Sequence, residues 1–281
     1  MSTKFKDRIV WIIVIGLFLI TISAWSAVFA AGDNLLKVHF LDVGQGDSAF
    51  IELPNKYQIL IDGGPSNEVV SQLSKVMPFY DHSIDLIVAS HPQEDHIFGL
   101  IEALKRYQVD EVMLSGAEND IESWSELKRL SAGKVVTPTA GQVYNLQADV
   151  QFKVLWPRAG LDFGNLSDVN EASVVLRLTY GDQDFLFTGD LGTITEPEVS
   201  WSDVEVLKVA HHGSRYATSE EFLNKTKPEI AIISVAKNNS YGHPTPETLE
   251  RLKDIGAEVW QTAISGTVTV FSDGDDVWVK K

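Results

Sequence analysis

The sequence predicts a mixed α/β fold in which two β-sheets pack together and helices cover their outer faces. Three observations carry that prediction. Short strand-like runs alternate with helical segments in the first and last thirds, and the middle third is strand-like nearly throughout. No repeat, low-complexity tract or linker interrupts the chain after Ala31. Continuous apolar strands need cover on both faces, and a second sheet plus outer helices supplies it.

From the start of this region, Leu36 to Val43, Ser48 to Leu53 and Tyr57 to Asp62 read as three strands, joined by turns at Gly44-Gln45-Gly46 and Pro54-Asn55. Ser66 to Val76 is helical, with Val69, Val70, Leu73 and Val76 on one face. Ile84 to Ala89 is a short buried strand, followed by a polar loop, a helix over Gly99 to Tyr107 and a strand over Glu111 to Leu114. Ile121 to Leu130 is amphipathic through Trp124, Leu127 and Leu130.

Val135, Val143, Val150 to Trp156, Ser173 to Tyr180 and Asp184 to Thr188 mark the strand-rich middle. Val204 to Ala210 is a strand, and Thr218 with Glu221 reads as a capping box opening a helix. Glu229 to Val235 is a strand, and Thr245-Pro246 opens the next helix with proline at its first position. Ala257 to Gln261, Gly266 to Phe271 and Val277 to Lys280 close the chain as strands.

The amino terminus stands apart. Lys4, Lys6 and Arg8 precede an uncharged run from Ile9 to Gly32 that ends among small residues. This reads as a secretory signal cleaved after Ala30 or Ala31, or as a single membrane anchor, since roughly 20 apolar residues span a bilayer. Either reading sends residues 32–281 outward as one domain, because positive charge stays inside. The expected location is extracytoplasmic, with membrane contact through the N-terminal segment if it is retained.

The 281 residues are 44% hydrophobic and 22% charged, an ordinary globular composition. With no cysteine, disulfides, thiolate catalysis and thiolate metal sites are excluded, so any bound metal takes nitrogen and oxygen ligands. The net charge is −16, and the first 31 residues contribute +2, leaving the domain at −18. Such a charge disfavours nucleic acid and anionic membranes as long-range partners.

Ligand-type residues gather in five places, each just past an apolar strand: Asp62-Gly63-Gly64, His91 to His96, Thr188-Gly189-Asp190, His211-His212-Gly213-Ser214 and Tyr241-Gly242-His243-Pro244. Five of the seven histidines fall there. Loops past strand ends are where α/β folds collect their active sites. Imidazoles and carboxylates assembled in this way suit a divalent cation. His39, inside a strand pattern, and His82, beside a turn, stand outside the set.

His91-x-x-x-Asp95-His96, with Asp62 before it and Thr188-Gly189-Asp190 and His211-His212-Gly213-Ser214 after it, resembles the metallo-β-lactamase fold superfamily. More narrowly, Leu41-Asp42-Val43-Gly44-Gln45-Gly46-Asp47-Ser48, Leu60-Ile61-Asp62-Gly63-Gly64, His211-His212-Gly213-Ser214 and Gly242-His243-Pro244 resemble the β-lactamase-like domain of ComEC-type DNA-uptake proteins. The likeness covers roughly residues 36 to 281. It implies an αββα sandwich of two mixed β-sheets flanked by helices, one or two divalent ions (zinc or manganese), and hydrolysis of a phosphodiester or related bond.

By resemblance, His91, Asp95, His96, Asp190 and His211 or His212 hold metal, with Asp190 as the bridging carboxylate. Asp95 also stands as a candidate base, and His243 or Arg215 as the group that steadies developing charge. Asp62 orients a ligand, while Asp42, Gln45 and Asp47 form a polar hairpin at the rim. Gln93 departs from the family pattern, which has His or Asp there, and Asn170-Glu171-Ala172-Ser173 stands where a further histidine is expected. A glutamine brings no charge and binds first-row ions poorly. Three outcomes stay open: one firmly held ion, a preference for harder ions such as Mn²⁺, or loss of activity.

The leading expectation is an extracytoplasmic metal-dependent hydrolase of the phosphodiesterase or nuclease type acting through activated water. Cell-wall phosphocholine or teichoic-acid esters, and less so a lactam or lactone, are alternative substrates. A degenerate module that binds ligand without turnover is the alternative outside enzymes.

Overall fold

The computed structural model describes residues 11–23 and 34–280, and the chain divides into two units, Met1–Asn34 and Leu35–Lys281. In the first unit residues 11–23 are helical. The basic residues Lys4, Lys6 and Arg8 and the candidate cleavage region Val28 to Ala31 lie outside the described residues. Among the described residues no helix is long and apolar enough to cross a membrane.

The second unit opens with β1 (Leu36–Phe40), β2 (Ala49–Glu52), β3 (Gln58–Ile61), α1 (Glu68–Val76), β4 (Ser83–Ala89), α2 (Glu94–Arg106), β5 (Gln108–Leu114), α3 (Glu122–Leu130) and β6 (Val135–Val136). It continues with β7 (Val143–Gln147), β8 (Val150–Trp156), β9 (Val175–Tyr180), β10 (Gln183–Phe187) and β11 (Val206–Lys208). The last part holds α4 (Glu220–Thr226), β12 (Ile230–Ile233), α5 (Pro246–Asp254), β13 (Glu258–Gln261), α6 (Thr262–Ser265), β14 (Val268–Ser272) and β15 (Val277–Val279).

Two sheets result. One runs β15-β14-β1-β2-β3-β4-β5-β6, the other β13-β12-β11-β10-β9-β8-β7. Both are mixed in the same way. Pairing is antiparallel from β15 through β3 and parallel from β3 to β6, and likewise antiparallel from β7 to β10 and parallel from β10 to β13. The parallel half of each sheet delivers several strand ends to one edge, and ligand-bearing loops collect there.

Side-chain alternation builds the layers. Val38, Phe40, Ile59 and Leu86 of the first sheet meet Phe152, Leu176, Phe185 and Ile232 of the second in a shared interior. Phe40 stacks on Phe187 there, ring centroids 6.1 Å apart. The intervening residues Phe50, Leu60 and Ile87 point the other way, onto Val69, Leu73, Leu100 and Trp124 of α1, α2 and α3. Leu186, Leu207 and Ile233 do the same beneath Phe222, Leu223 and Leu252 of α4 and α5. The αββα order follows from that alternation.

Several local readings need correction. Helix α2 begins at Glu94, not Gly99, because the Gln93 carbonyl accepts from the His96 and Ile97 amides at 3.1 Å; Asp95 and His96 therefore belong to a helical turn rather than a loop. The cap of α4 is Ser219, whose side chain accepts from the Phe222 amide; Thr218 has φ +56°, and Glu221 pairs with Lys225, so no capping box forms. The short helix α6 and the 3₁₀ turns Phe163–Asn165, Val169–Ala172, Glu196–Glu198 and Ala210–Gly213 carry too few residues for a periodic signal.

His39 lies on β1 facing the outer layer, its Nδ1 2.8 Å from Thr269 Oγ1 and its ring over Phe50. Burial lowers its pKa to about 4, against the opposing pull of Glu52. A depressed folded-state pKa makes stability fully present above the unfolded value near 6.5 and lost as pH falls through the folded one. Over that window His39 is expected to remove about 3 kcal/mol. Urea unfolding at pH 7 and pH 4 reads it directly. His39→Gln should show a correspondingly smaller loss between the two pH values than the wild type, and equal losses would show that His39 carries no charge penalty.

Candidate metal centre

The edge where the parallel strands end gathers the polar clusters. Asp62 follows β3, Ser90 and His91 follow β4, Asp190 follows β10, His212 follows β11 and Ser234 follows β12. Asp95 and His96 ride on the first turn of α2.

Backbone contacts set how closely the first turns of helix α2 approach the loop after β3. The Gly63 amide donates to the His96 carbonyl at 2.7 Å, and the Gly99 amide donates to the Gly64 carbonyl at 3.0 Å. A Cβ on Gly99 would lie 1.9 Å from the Gly63 carbonyl oxygen, and one on Gly63 would lie 2.4 Å from the Leu100 nitrogen. Only glycine at both positions lets the helix approach this closely. Successive helical residues diverge by about 100°, so Asp95 and His96 face different parts of the site.

Two buried carboxylates orient two imidazoles from behind. Asp62 Oδ2 is 2.9 Å from His96 Nδ1 and also accepts from Ser90 Oγ at 2.7 Å, while its Oδ1 accepts the Ser90 amide at 2.8 Å. Asp47 Oδ1 is 3.1 Å from His212 Nδ1, which also lies 3.0 Å from the Ser234 carbonyl. With each Nδ1–H engaged, each Nε2 lone pair points inward, the arrangement by which carboxylates set imidazole ligands. Asp190 Oδ2 lies between them, 3.4 Å from His96 Nε2 and 3.5 Å from His212 Nε2. Asp95 Oδ2 is 3.4 Å from His212 Nε2.

His91 is fully buried, with its ring centroid 4.2 Å from that of His96. Ser90 Oγ, which donates to Asp62, lies 2.9 Å from His91 Nδ1, and His91 Nε2 lies 3.2 Å from Gln93 Oε1. Ser173 closes the stretch Asn170 to Ser173, where a further histidine is expected by resemblance. Its hydroxyl accepts the Asp190 amide at 3.0 Å and lies 3.4 Å from His91 Nδ1.

The structure separates the two adjacent histidines that sequence left as equivalents. His212 is 2% exposed and central, whereas the His211 side chain is 30% exposed and its Nε2 is 3.9 Å from Asp190. Both have positive φ, near +50°, and Gly213 follows at +82°. Left-handed backbone costs roughly 1–2 kcal/mol per non-glycine residue. The turn is held by the Thr245 amide donating to the Gly213 carbonyl at 2.9 Å and the Ser214 amide to the His211 carbonyl at 2.8 Å.

Of the remaining candidates, Asp47 is not at the rim: it is buried beneath His212 because Lys208 Nζ, 5% exposed, pairs with its Oδ2 at 2.6 Å. Gln45 Oε1 accepts the Ala236 amide at 3.2 Å, tying this turn to the loop after β12. Asp42 lies farther back, its amide bonded to Thr267. Arg215 points outward and pairs with Glu247 at 3.1 Å. His243 stands over His211, ring centroids 5.7 Å apart, with Tyr241 stacked beside it.

The charge state follows from these contacts. Burial opposes charge on His212, but Asp190 and Asp47 outweigh it and push its pKa up to about 10. Burial likewise opposes charge on His96, and Asp190 and Asp62 raise its pKa well above the usual value. Burial disfavours the Asp190 carboxylate, yet His212 and His96 hold its pKa well below the ordinary range. His91 is lowered by burial and then by His96. Asp47 is brought down to about 2, Lys208 and then His212 overcoming burial.

These residues fit a divalent cation. His91, His96 and Asp190 offer one atom each within 4.8 Å of one another, and so do Asp95, His96 and His212, and Asp47, Asp190 and His212. His96 Nε2, His212 Nε2 and Asp190 Oδ1 are buried without a hydrogen-bond partner. Each such atom costs roughly 1–3 kcal/mol in a dry interior, and two unpartnered imidazole nitrogens within 3.5 Å of the Asp190 carboxylate mark a place for a cation. The nitrogen and oxygen donors suit zinc or manganese.

A buried imidazole–carboxylate centre at the strand ends of an αββα sandwich defines the chain as a metal-dependent hydrolase fold. The chain belongs to the metallo-β-lactamase superfamily, whose family model matches residues 41–237. It is 30% identical over 267 residues to ComE operon protein 3 of Bacillus subtilis, covering 83% of this chain and 32% of that protein. It is 30% identical over 240 residues to Recombination protein 2 of Haemophilus influenzae, covering 83% and 28%. Competence protein ComA of Neisseria gonorrhoeae is 28% identical over 249 residues, covering 85% and 33%. The chain thus spans about a third of the length of these relatives.

Among solved structures, the metallo-β-lactamase fold protein YhfI of Bacillus subtilis superposes with TM-score 0.53 at 16% identity, covering 86% of this chain and 99% of that one. Igni18, a metallo hydrolase of Ignicoccus hospitalis, gives TM-score 0.51 at 16% identity, covering 84% and 98%. The fold is shared, and with it the expectation of a divalent metal.

Lys208 is the residue that sequence reading missed. Lys208→Met should leave the Asp47 carboxylate buried without its cation, a loss of about 3–5 kcal/mol. It should also release His212 and weaken zinc binding by roughly 10–100-fold. Chemical denaturation and competition with a chelator measure the two effects separately, and Lys208→Arg should restore part of both. Unchanged zinc affinity in Lys208→Met would show that Asp47 holds His212 without it.

Proposed function

We propose that the chain is an extracytoplasmic, divalent-metal-dependent phosphodiester hydrolase. One observation carries the choice of an anionic phosphoryl substrate. In a chain of net charge −16, His211 and His243 stand beside the centre with Lys237 lining the same loop as His243, while Asp95 is the exposed carboxylate among them. Donors and cations so placed favour a substrate that carries negative charge at the reacting centre. The names of the relatives, a recombination protein and a competence protein, support a phosphodiester over a lactam.

A divalent ion held by His91, His96, Asp95, Asp190 and His212 would polarise the scissile group and lower the pKa of water. Asp190 is central, bordering both His96 and His212. Asp95 is the most exposed of the central carboxylates, 34% at its side chain, and its pKa is lowered: His212 and His96 outweigh the effect of burial. It is placed to accept the proton of the attacking water. As the water oxygen bonds to phosphorus, the ester bond to the leaving oxygen breaks and solvent protonates that oxygen.

His243 stands beside the same centre. Burial and then the nearby His211 and His212 lower its pKa, so it is neutral near pH 7 and donates one hydrogen bond to a non-bridging phosphoryl oxygen. In this reading the ion is zinc or manganese. The outward location is supported by the basic start and apolar run of residues 4–31.

The test is hydrolysis of bis-p-nitrophenyl phosphate by the purified chain supplied in turn with Zn²⁺ and Mn²⁺. Turnover should require metal and disappear in Asp190→Ala and Asp95→Ala, with circular dichroism unchanged. Full activity in either variant, or metal-independent turnover by the wild type, would end this assignment. Metal bound without turnover of any ester would instead mark a binding module.

A further inference from the structure

Among the described residues, His91, His96 and His212 bring imidazoles to Asp190, and they do not present themselves alike. His96 Nε2 and His212 Nε2 are buried without a hydrogen-bond partner. His91 Nε2 instead lies 3.2 Å from Gln93 Oε1. A carbonyl oxygen only accepts, so this nitrogen carries the proton and offers no lone pair to an ion. The lone pair of His91 is on Nδ1, where the Ser173 hydroxyl donates at 3.4 Å. The Ser90 hydroxyl, 2.9 Å from the same nitrogen, donates to Asp62 instead.

Gln93 is fixed in that place. Its carbonyl accepts from the His96 and Ile97 amides at 3.1 Å, and its own amide donates to the His91 carbonyl at 3.0 Å. Asn119 Nδ2 donates to the preceding Pro92 carbonyl at 2.7 Å. The backbone that carries the glutamine is thus tied on both sides of it.

The remaining donors have the spacing of a single tetrahedral ion. Zinc takes nitrogen and oxygen ligands at about 2.0–2.2 Å, which sets neighbouring corners of a tetrahedron about 3.3–3.6 Å apart. Asp190 Oδ2 is 3.4 Å from His96 Nε2 and 3.5 Å from His212 Nε2, and Asp95 Oδ2 is 3.4 Å from His212 Nε2. Two imidazoles and two carboxylates hold an ion and balance its charge. The side toward solvent, where the Asp95 side chain is 34% exposed, stays open for water.

We propose that the centre holds one ion, between Asp95, His96, Asp190 and His212, and that Gln93 keeps His91 from taking a second. The proposal rests on the metal-dependent reading above and narrows its five ligands to four. The other grouping, His91 with His96 and Asp190, draws on the same His96 and Asp190. Among the described residues a second ion would therefore gain His91 alone, beside a glutamine that brings no charge and binds first-row ions poorly. Gln93→Asp should reverse this. An aspartate is one methylene shorter and adds the missing charge, and Asp190 Oδ1, buried and unpartnered, is the oxygen that two ions would share.

Counting ions tests this apart from turnover. The purified full chain is dialysed to equilibrium against Mn²⁺, its manganese is measured by elemental analysis, and electron paramagnetic resonance reads whether ions are neighbours. The wild type should hold one manganese with the spectrum of an isolated ion. Gln93→Asp should hold two, coupled to each other. His91→Asn should leave the affinity for the single ion nearly unchanged, whereas His96→Asn should lower it at least roughly tenfold. Thermal denaturation shows which variants are folded, and the wild-type count and spectrum stand without them.

Two ions in the wild type, a coupled wild-type spectrum, or loss of the single ion from folded His91→Asn would overturn the proposal. A folded Gln93→Asp chain that still holds one ion would overturn the part assigned to Gln93. A wild type that binds no manganese at submillimolar concentration would end both this proposal and the metal-dependent reading. Two ions with metal-dependent diester turnover would remove only the count, and one ion without turnover would remove the hydrolase reading and leave the count.

Discussion

The Asp190 carboxylate, buried between the Nε2 atoms of His96 and His212, is the contact on which the rest of the site depends. A carboxylate in a dry interior is costly unless positive charge meets it. Two imidazoles meet it here, each backed by a further group: Asp62 holds His96 Nδ1, and His212 Nδ1 bonds the Ser234 carbonyl with the Asp47 carboxylate 3.1 Å away. Three buried acids then face two histidines and one lysine. The raised pKa values of His96 and His212 express that imbalance: they take up protons where a divalent cation would serve the same end. Protonation and metal binding compete for one set of lone pairs, so loading the centre releases protons.

The architecture exists to bring those groups to one edge. Each sheet turns parallel at the strand from which the first ligand-bearing loop leaves, β3 in one and β10 in the other, so successive strand ends emerge side by side. The Gly63–Gly99 contact then draws α2 down until its first turn lies among the loops. The left-handed turn at His211 and His212 does the corresponding work in the second sheet, turning one histidine inward and leaving its neighbour at the opening.

Much of this was legible in the sequence, because the ligand clusters are short, polar and placed after apolar runs. The layer order could be read from alternation in residues such as Leu36, Val38 and Phe40, since burial of one face enforces a period of two. Three kinds of information were not legible. Whether His211 or His212 turns inward depends on two positive φ angles, and a pair of identical residues carries no mark of them. The start of α2 was set five residues late because its first turn is polar and lacks apolar periodicity. The place of Asp47 depends on a partner that is 161 positions away in the chain, at Lys208.

Lys208 shows why such partners escape notice. It interrupts the run Val206 to Ala210, and a lysine there is readily passed over as an exposed position on a short strand. The strand is central, however, with β10 and β12 on either side, and Lys208 shares the face of Val206, which is turned into the interior between the sheets. A lysine in a central parallel strand is almost never fully buried without a carboxylate partner, and here that partner is the single acid of the turn Gly44 to Asp47. That inference needs the sheet order, which local pattern does not supply. Chemistry at a strand end is written in consecutive residues, while what orients it is written across the fold.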